Sequence, residues 1–203
     1  MAVYIAFEGG EGSGKSTQAR LLAERLDAVL TREPGGTPLG ARLRELLLNT
    51  DDGPDGIAIG ARAEALMMAA DRAQHIDEVI RPALAAGRHV VSDRTAFSSM
   101  AYQGGGRDLG IEAIGRLSDW AIDRQWPDVV VFLKVTPVQA AARIDRSLDR
   151  IEQAGHDFHQ RVSAAFEEMA AAEPERWVVV DGNGPVGEVA EAVWRSVQPW
   201  LAG

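Results

Sequence analysis

VYIAFEGGEGSGKSTQ, residues 3–18, passes from an almost unbroken apolar run through a glycine-rich turn into a helical rhythm. Val3–Glu8 has the composition of a strand covered on both faces. Lys15 opens the stretch KSTQARLLAERLDA, where Leu21, Leu22, Arg25 and Leu26 recur at helical spacing. Between the two, Gly9, Gly14, Lys15 and Ser16 satisfy G-x-x-x-x-G-K-[ST]. Glycines let backbone N–H groups converge on a phosphate chain without Cβ obstruction. The helix that follows turns its positive end toward the same anion. The cradle so predicted comprises Gly9, Gly10, Glu11, Gly12, Ser13, Gly14, Lys15, Ser16 and Thr17, with Lys15 on the terminal phosphates and Ser16 on Mg²⁺. An ordinary glycine-rich turn is the bland alternative, and strand, loop and helix in this order argue against it. The chain reads as a binder of a nucleoside triphosphate.

Outward from this stretch, four more β-rich runs follow at 28–33, 88–94, 128–135 and 177–181, with helical patterns between them. In TPVQAAAR, Thr136 is placed as an N-cap, Pro137 at the first helical position and Gln139 three beyond the cap. GPVGEVAEAVWRSVQPWL supplies a last helix. The alternation predicts an α/β fold: five parallel strands with helices on both faces, in a single domain spanning 1–203. NTDDGPDG, 49–56, reads as a loop within that domain.

Composition narrows the partners. The 203 residues carry 46% hydrophobic residues, enough for a sizeable core, and a formal net charge of −9. A chain this acidic lacks the broad basic footprint of a polynucleotide binder, so cations for a small phosphate ligand must be gathered locally. No apolar stretch reaches membrane-spanning length, the N-terminal stretch has no basic region, and there is no cysteine. These features predict a cytoplasmic protein with neither polynucleotide nor membrane as partner.

No N-K-x-D follows a later strand, which argues against a GTPase, and a motor or transport ATPase would be larger. A small kinase is the better class. Its second anion site is sought in VVSDRT, where Asp93 and Arg94 stand at the carboxyl end of a predicted strand, the usual ligand-binding edge of a parallel sheet. Asp93 is a candidate for Mg²⁺ and Arg94 for a phosphate, against the plain reading of a surface ion pair. Arg72 lies in the helical stretch MMAADRAQH, and by itself reads as a solvated arginine. In SSMAYQGGGR, three glycines before Arg107 suggest a mobile loop, with Tyr102 and Gln103 able to face a base.

FEGGEGSGKSTQ, TREPGGTPLG, ADRAQH, VVSDRT, AYQGGGR and LDRIEQ, in this order over nearly the whole chain, resemble bacterial thymidylate kinases. The resemblance implies ATP-dependent conversion of dTMP to dTDP in dTTP biosynthesis, with Mg²⁺, and a homodimer formed through the Ala-rich region between residues 57 and 86. It implies that Arg94 binds the monophosphate and Arg72 holds the acceptor nucleotide. Glu11 falls near the acceptor sugar and metal, and Tyr102 against the deoxyribose. Met68 stands where the family often has a base-stacking phenylalanine, and Thr95 where it often has an aromatic residue. Ser99 and Gln103 complete the predicted acceptor site, and EPGG (33–36) falls close to it.

The segment RIDRSLDRIEQ places Arg143, Arg146 and Arg150 at i, i+3, i+7, so one helix would carry all three on one face. A salt-bridged solvent face is the competing reading. Positions 10–13 of the phosphate loop contain no arginine, and family members of that kind draw the catalytic cation from a lid, here about 143–155. Arg146 and Arg150 are the candidates for the transferred phosphoryl group, and Arg143 for stacking on adenine. His156 and His159 read as a solvated helix face, His75 and His89 as isolated, and the five tryptophans as packing residues. Two rivals stay open: a small kinase for another nucleotide or a deoxynucleoside, and a nucleotide-binding regulator without turnover.

Overall fold

The computed structural model describes residues 1–48, 58–144 and 149–201. Its strands are β1 (Tyr4–Glu8), β2 (Val29–Arg32), β3 (Val90–Asp93), β4 (Val129–Lys134) and β5 (Trp177–Asp181). Its helices are α1 (Lys15–Leu26), α2 (Pro38–Leu48), α3 (Ala61–His75), α4 (Arg81–Ala85), α5 (Ala96–Ser99), α6 (Ile111–Ile122), α7 (Pro137–Ala142), α8 (His156–Ala172) and α9 (Val186–Leu201). Wider π-type turns join α3 to α4 and extend α5 over Met100–Gly106. The loop expected at 49–56 lies outside the described residues.

All five strands are parallel, in the order β2-β3-β1-β4-β5. The sheet alternation sorts the core. Ile5, Phe7, Val129, Val131 and Leu133 pack on α1 and α9 through Leu22, Val193 and Val197. Ala6, Val130 and Phe132 face the opposite way, onto Phe97, Phe158 and Phe166. Full burial of each large side chain contributes about 1.5–3 kcal/mol, and both faces are covered, as the continuous apolar runs require. Thr136 caps α7, its hydroxyl accepting from the Gln139 N–H at 3.3 Å. The Thr136 N–H goes to Asn183 Oδ1 at 2.9 Å, which ties α7 to the loop after β5.

Three expectations change. Gly104–Gly106 do not form a mobile loop: Gly104 and Gly106 are buried and all three close against neighbouring elements. A Cβ on Gly104 would lie 2.9 Å from Ile111 Cα, and one on Gly106 would lie 2.4 Å from the Phe158 ring. These glycines permit close approach. Arg143 and Arg150 do not share one helical face, because α7 ends at Ala142 and a 3₁₀ turn occupies Glu152–Ala154. Asp149 starts that turn with a reciprocal capping box: its Oδ1 accepts from Glu152 N–H at 2.9 Å and Glu152 Oε2 accepts from Asp149 N–H at 2.8 Å. Arg146 lies outside the described residues. Trp126 and Trp177 pack on Phe97 as expected, but Trp120 is 82% exposed.

No helix among the described residues is long and apolar enough to cross a membrane. Gly106→Ala should force the buried Phe158 aside and destabilise the fold by about 1–3 kcal/mol. Thermal unfolding should show a melting temperature several degrees lower.

Candidate active site

The pairing of β1 with β3 sets Phe7 beside Asp93, so the phosphate loop and the Asp93-Arg94 pair leave the sheet from adjacent strand ends. Within the loop, Gly9 and Gly12 adopt positive φ, and a Cβ on Gly12 would lie 2.4 Å from the Ala140 carbonyl oxygen. Gly14 precedes α1 without a side-chain cap, which leaves the helix N-terminal N–H groups for an anion. Lys15 is buried, its Nζ donating to Gly10 O at 2.7 Å and Ser13 Oγ at 3.3 Å.

Arg94 takes a left-handed backbone conformation, φ 72°, uncommon for a non-glycine residue and characteristic of functional turns. Its peptide is held by Ser92 Oγ, which donates to Arg94 O at 2.8 Å. Next to it the buried Glu8 carboxylate accepts from Thr95 N–H and Oγ1, each at 2.8 Å, and from Ser98 N–H and Oγ. The Arg94 guanidinium donates to Gly9 O at 3.2 Å, Ser98 Oγ at 3.0 Å, Tyr102 Oη at 3.1 Å and the Glu11 carboxylate. It thus touches the phosphate loop directly. Burial would raise the Glu11 carboxyl, but Arg94 and Lys15 together hold it far below the usual carboxylate range. Burial alone raises the Glu8 carboxyl, and Arg94 and its hydrogen bonds offset this only in part.

Beyond Arg94 opens a cavity lined by Met68, Arg72, Ser99, Tyr102 and Gln103, with Glu11, Lys15, Ser16 and Asp93 at its phosphate-loop end. Arg72 is buried, its Nε donating to Glu33 Oε2 at 2.8 Å and its terminal nitrogen to Ser99 Oγ at 3.0 Å and Thr95 O at 3.2 Å. The plain reading of a solvated arginine is therefore wrong for its burial. Glu33 also takes His75 Nδ1 at 2.9 Å. An ionised carboxylate only accepts, so Nδ1 carries a hydrogen toward Glu33, and Nε2 shares a hydrogen bond with the Thr31 hydroxyl. His75 is a positioning group for Glu33, not an isolated side chain.

Ser16 Oγ donates to Asp93 Oδ2, while Asp93 Oδ1 is buried without a hydrogen-bond partner among the described residues. A hydroxyl beside an orphaned carboxylate oxygen suits Mg²⁺, which takes one or two protein oxygens and otherwise keeps waters and phosphate oxygens. Among the described residues no group of three or more His, Cys, Asp and Glu offers a richer metal site. Arg143 donates to Gly182 O at 2.9 Å and Gly12 O at 3.5 Å, beside the phosphate loop. Arg150 points elsewhere, to Leu47 O at 2.8 Å and Glu64 Oε2 at 2.6 Å.

Sequence reading missed Glu8, Glu64 and His75, and the cavity-lining Arg32 and Arg44, and it had Glu33 only as the first residue of EPGG. One signal was present: Glu64, Met68, Arg72 and His75 are spaced by four, four and three residues, one face of a helix. A polar residue recurring on the buried face of an Ala-rich helix needs partners, and those partners lie at the site.

Two cation clusters in contact, one of them a phosphate-binding loop, suit a reaction in which two anions meet end to end. That defines a phosphotransferase of the phosphate-loop nucleotide-kinase class. A family model described as Thymidylate kinase matches residues 7–193, and the chain belongs to the thymidylate kinase family. It is 46% identical over 200 residues to the thymidylate kinase of Cutibacterium acnes, covering 96% of each chain. It is 46% identical over 204 residues to that of a Synechococcus species, covering 98% of this chain and 97% of the relative. A crystal structure of thymidylate kinase from Ehrlichia chaffeensis superimposes with a TM-score of 0.79 at 31% identity, over 97% of this chain and 98% of that one.

Burial, with Arg94 close by, lowers the Lys15 ammonium to about 8. The charge that a triphosphate would meet is therefore present below that pH and lost as pH rises through it. Affinity for a nucleoside triphosphate should be flat below about pH 8 and fall up to tenfold per pH unit above it, measured as Kd by calorimetry.

Proposed function

We propose that this enzyme transfers the γ-phosphoryl group of ATP to the phosphate of dTMP, with Mg²⁺, giving dTDP for dTTP synthesis. The observation that carries the reading is the contact between Arg94 and Gly9 O, which joins an acceptor-side cation to the donor loop. The names of the relatives support the substrate.

The acceptor oxygen is already anionic near neutral pH, so the chain needs alignment and charge neutralisation more than a strong base. Lys15 and the loop N–H groups bind the donor phosphates. Arg94 binds the acceptor phosphate, exchanging its Glu11 partner for that anion. Tyr102, whose hydroxyl burial keeps protonated, packs beside the sugar and donates to Glu11 Oε1 at 3.3 Å. Arg72, Met68, Ser99 and Gln103 hold the base. Ser16 and Asp93 would hold Mg²⁺, which when bound draws charge from the phosphate oxygens. Arg143 lies beside the donor loop, where adenine stacking is feasible. Arg146 and Arg150 are the lid cations for the transferred group, and Arg150 must leave Glu64 to act so.

The reading is of a cytoplasmic enzyme, one kinase domain over 1–203 with a lid at about 143–155, working as a homodimer. The exposed Leu66 on the outer face of α3, with Leu39 and Leu46 exposed on α2, supports a dimer through that region. Leu66→Glu should shift the species in sedimentation velocity from dimer to monomer, and an unshifted dimer would place the interface elsewhere.

With ATP and equal concentrations of dTMP, dUMP, dCMP, dGMP and thymidine, ADP formation should be fastest with dTMP. The thymine methyl is worth only ~1–3 kcal/mol, so dUMP should be the next best substrate. Thymidine outpacing every monophosphate would refute the acceptor-phosphate site. Lys15→Ala and Arg94→Ala should each lower kcat/KM by about 10²–10³-fold or more while the far-ultraviolet circular dichroism is retained.

A further inference from the structure

Glu64 sits on α3 one turn before Met68 and is itself fully buried. Its two carboxylate oxygens collect four N–H bonds from two other elements. Oε1 accepts from Gln103 Nε2 at 2.9 Å and Arg107 Nε at 3.3 Å; Oε2 accepts from Arg107 at 3.1 Å and Arg150 at 2.6 Å. Burial would raise its carboxyl, but these bonds hold it below the usual range, so it is ionised and accepts only.

That fixes the polarity of a neighbour. An amide has one donating and one accepting end, and a carboxylate tolerates only the donating end. Gln103 must therefore turn its NH₂ toward Glu64. Its Oε1 is then committed as an acceptor, and this buried oxygen has no hydrogen-bond partner among the described residues. Gln103 lines the acceptor cavity together with Arg72, whose guanidinium can only donate. One acceptor and one donor on the same wall match the edge of a keto-imide pyrimidine, which offers N3–H beside a carbonyl. Cytosine offers the reverse, an accepting N3 beside an amino group, and meets like against like.

We propose that Glu64 is a positioning residue for specificity: by fixing the orientation of the Gln103 amide it selects thymine or uracil over cytosine. The proposal rests on the reading of dTMP as acceptor. Glu64 touches no substrate and acts through Gln103.

The test compares kcat/KM for dTMP and dCMP in wild type, Glu64→Gln and Arg107→Gln. Glutamine at 64 can offer either end of its amide, so Gln103 is free to turn over. The dTMP/dCMP ratio should then fall at least tenfold, with dCMP gaining in absolute kcat/KM, which loss of packing alone would not produce. Arg107→Gln removes charge pairing from the same carboxylate but leaves it accepting only, so the ratio should stay near wild type. An unchanged ratio in Glu64→Gln overturns the role of Glu64 while leaving dTMP as acceptor. A wild type that uses neither dTMP nor dUMP overturns the acceptor reading and this proposal with it. Should Glu64→Gln fail to fold, wild-type binding of 3-methyl-dTMP, which lacks the imide hydrogen, decides. Weakening of at least tenfold against dTMP supports an acceptor aimed at N3, and equal affinity overturns it.

Discussion

The two buried arginines of the cleft, Arg72 and Arg94, are each held by a carboxylate, and the architecture follows from that constraint. An acidic chain has to bury guanidinium and ammonium groups where phosphate will sit, and an unpaired buried charge is too costly to persist. Glu11 holds Arg94, Glu33 holds Arg72, and Glu64 holds Arg107 and Arg150. The first two pairs keep Arg94 and Arg72 extended at the cavity, which lowers the ordering cost of binding an anion there.

The three carboxylates come from different elements, and this is how the fold and the site depend on one another. Glu11 belongs to the phosphate loop, Glu33 follows β2, and Glu64 lies on α3. Each reaches across to an arginine elsewhere in the chain. The helix α3 is the common wall, with Met68 and Arg72 facing the cavity and Glu64 and His75 bonded to side chains from other elements. The π-type turn at Met100–Gly106 carries Tyr102 and Gln103 to the same cavity and closes its glycines against α6 and α8. Wide turns of this kind are common where a helix must present adjacent residues to a ligand.

The five strands and the phosphate loop were legible because they rest on local patterns: continuous apolar runs and a fixed glycine-lysine spacing. Arg94 was legible from its place at a strand end, and Tyr102 and Arg72 from family resemblance. What escaped was long-range pairing. Glu8 ends an apolar strand and looks like a simple boundary, yet it binds residues nearly ninety positions away. The triple glycine looks flexible until Phe158, Ile111 and Ala165 are packed against it. The arginines of 143–150 fit a helix by spacing, but Asp149 begins a new turn with its own cap, and capping by a residue that also belongs to a charged repeat cannot be separated from spacing alone.

The four hydrogen bonds that Glu8 accepts from Thr95 and Ser98 weld the tip of β1 to the start of α5. The phosphate loop that follows Glu8 and the Arg94 turn that precedes Thr95 are consequently tied to one another through a single carboxylate. Pulling the two apart would break four bonds to one buried carboxylate at once, so the spacing of the two cation-bearing turns behaves as a fixed dimension of the cleft.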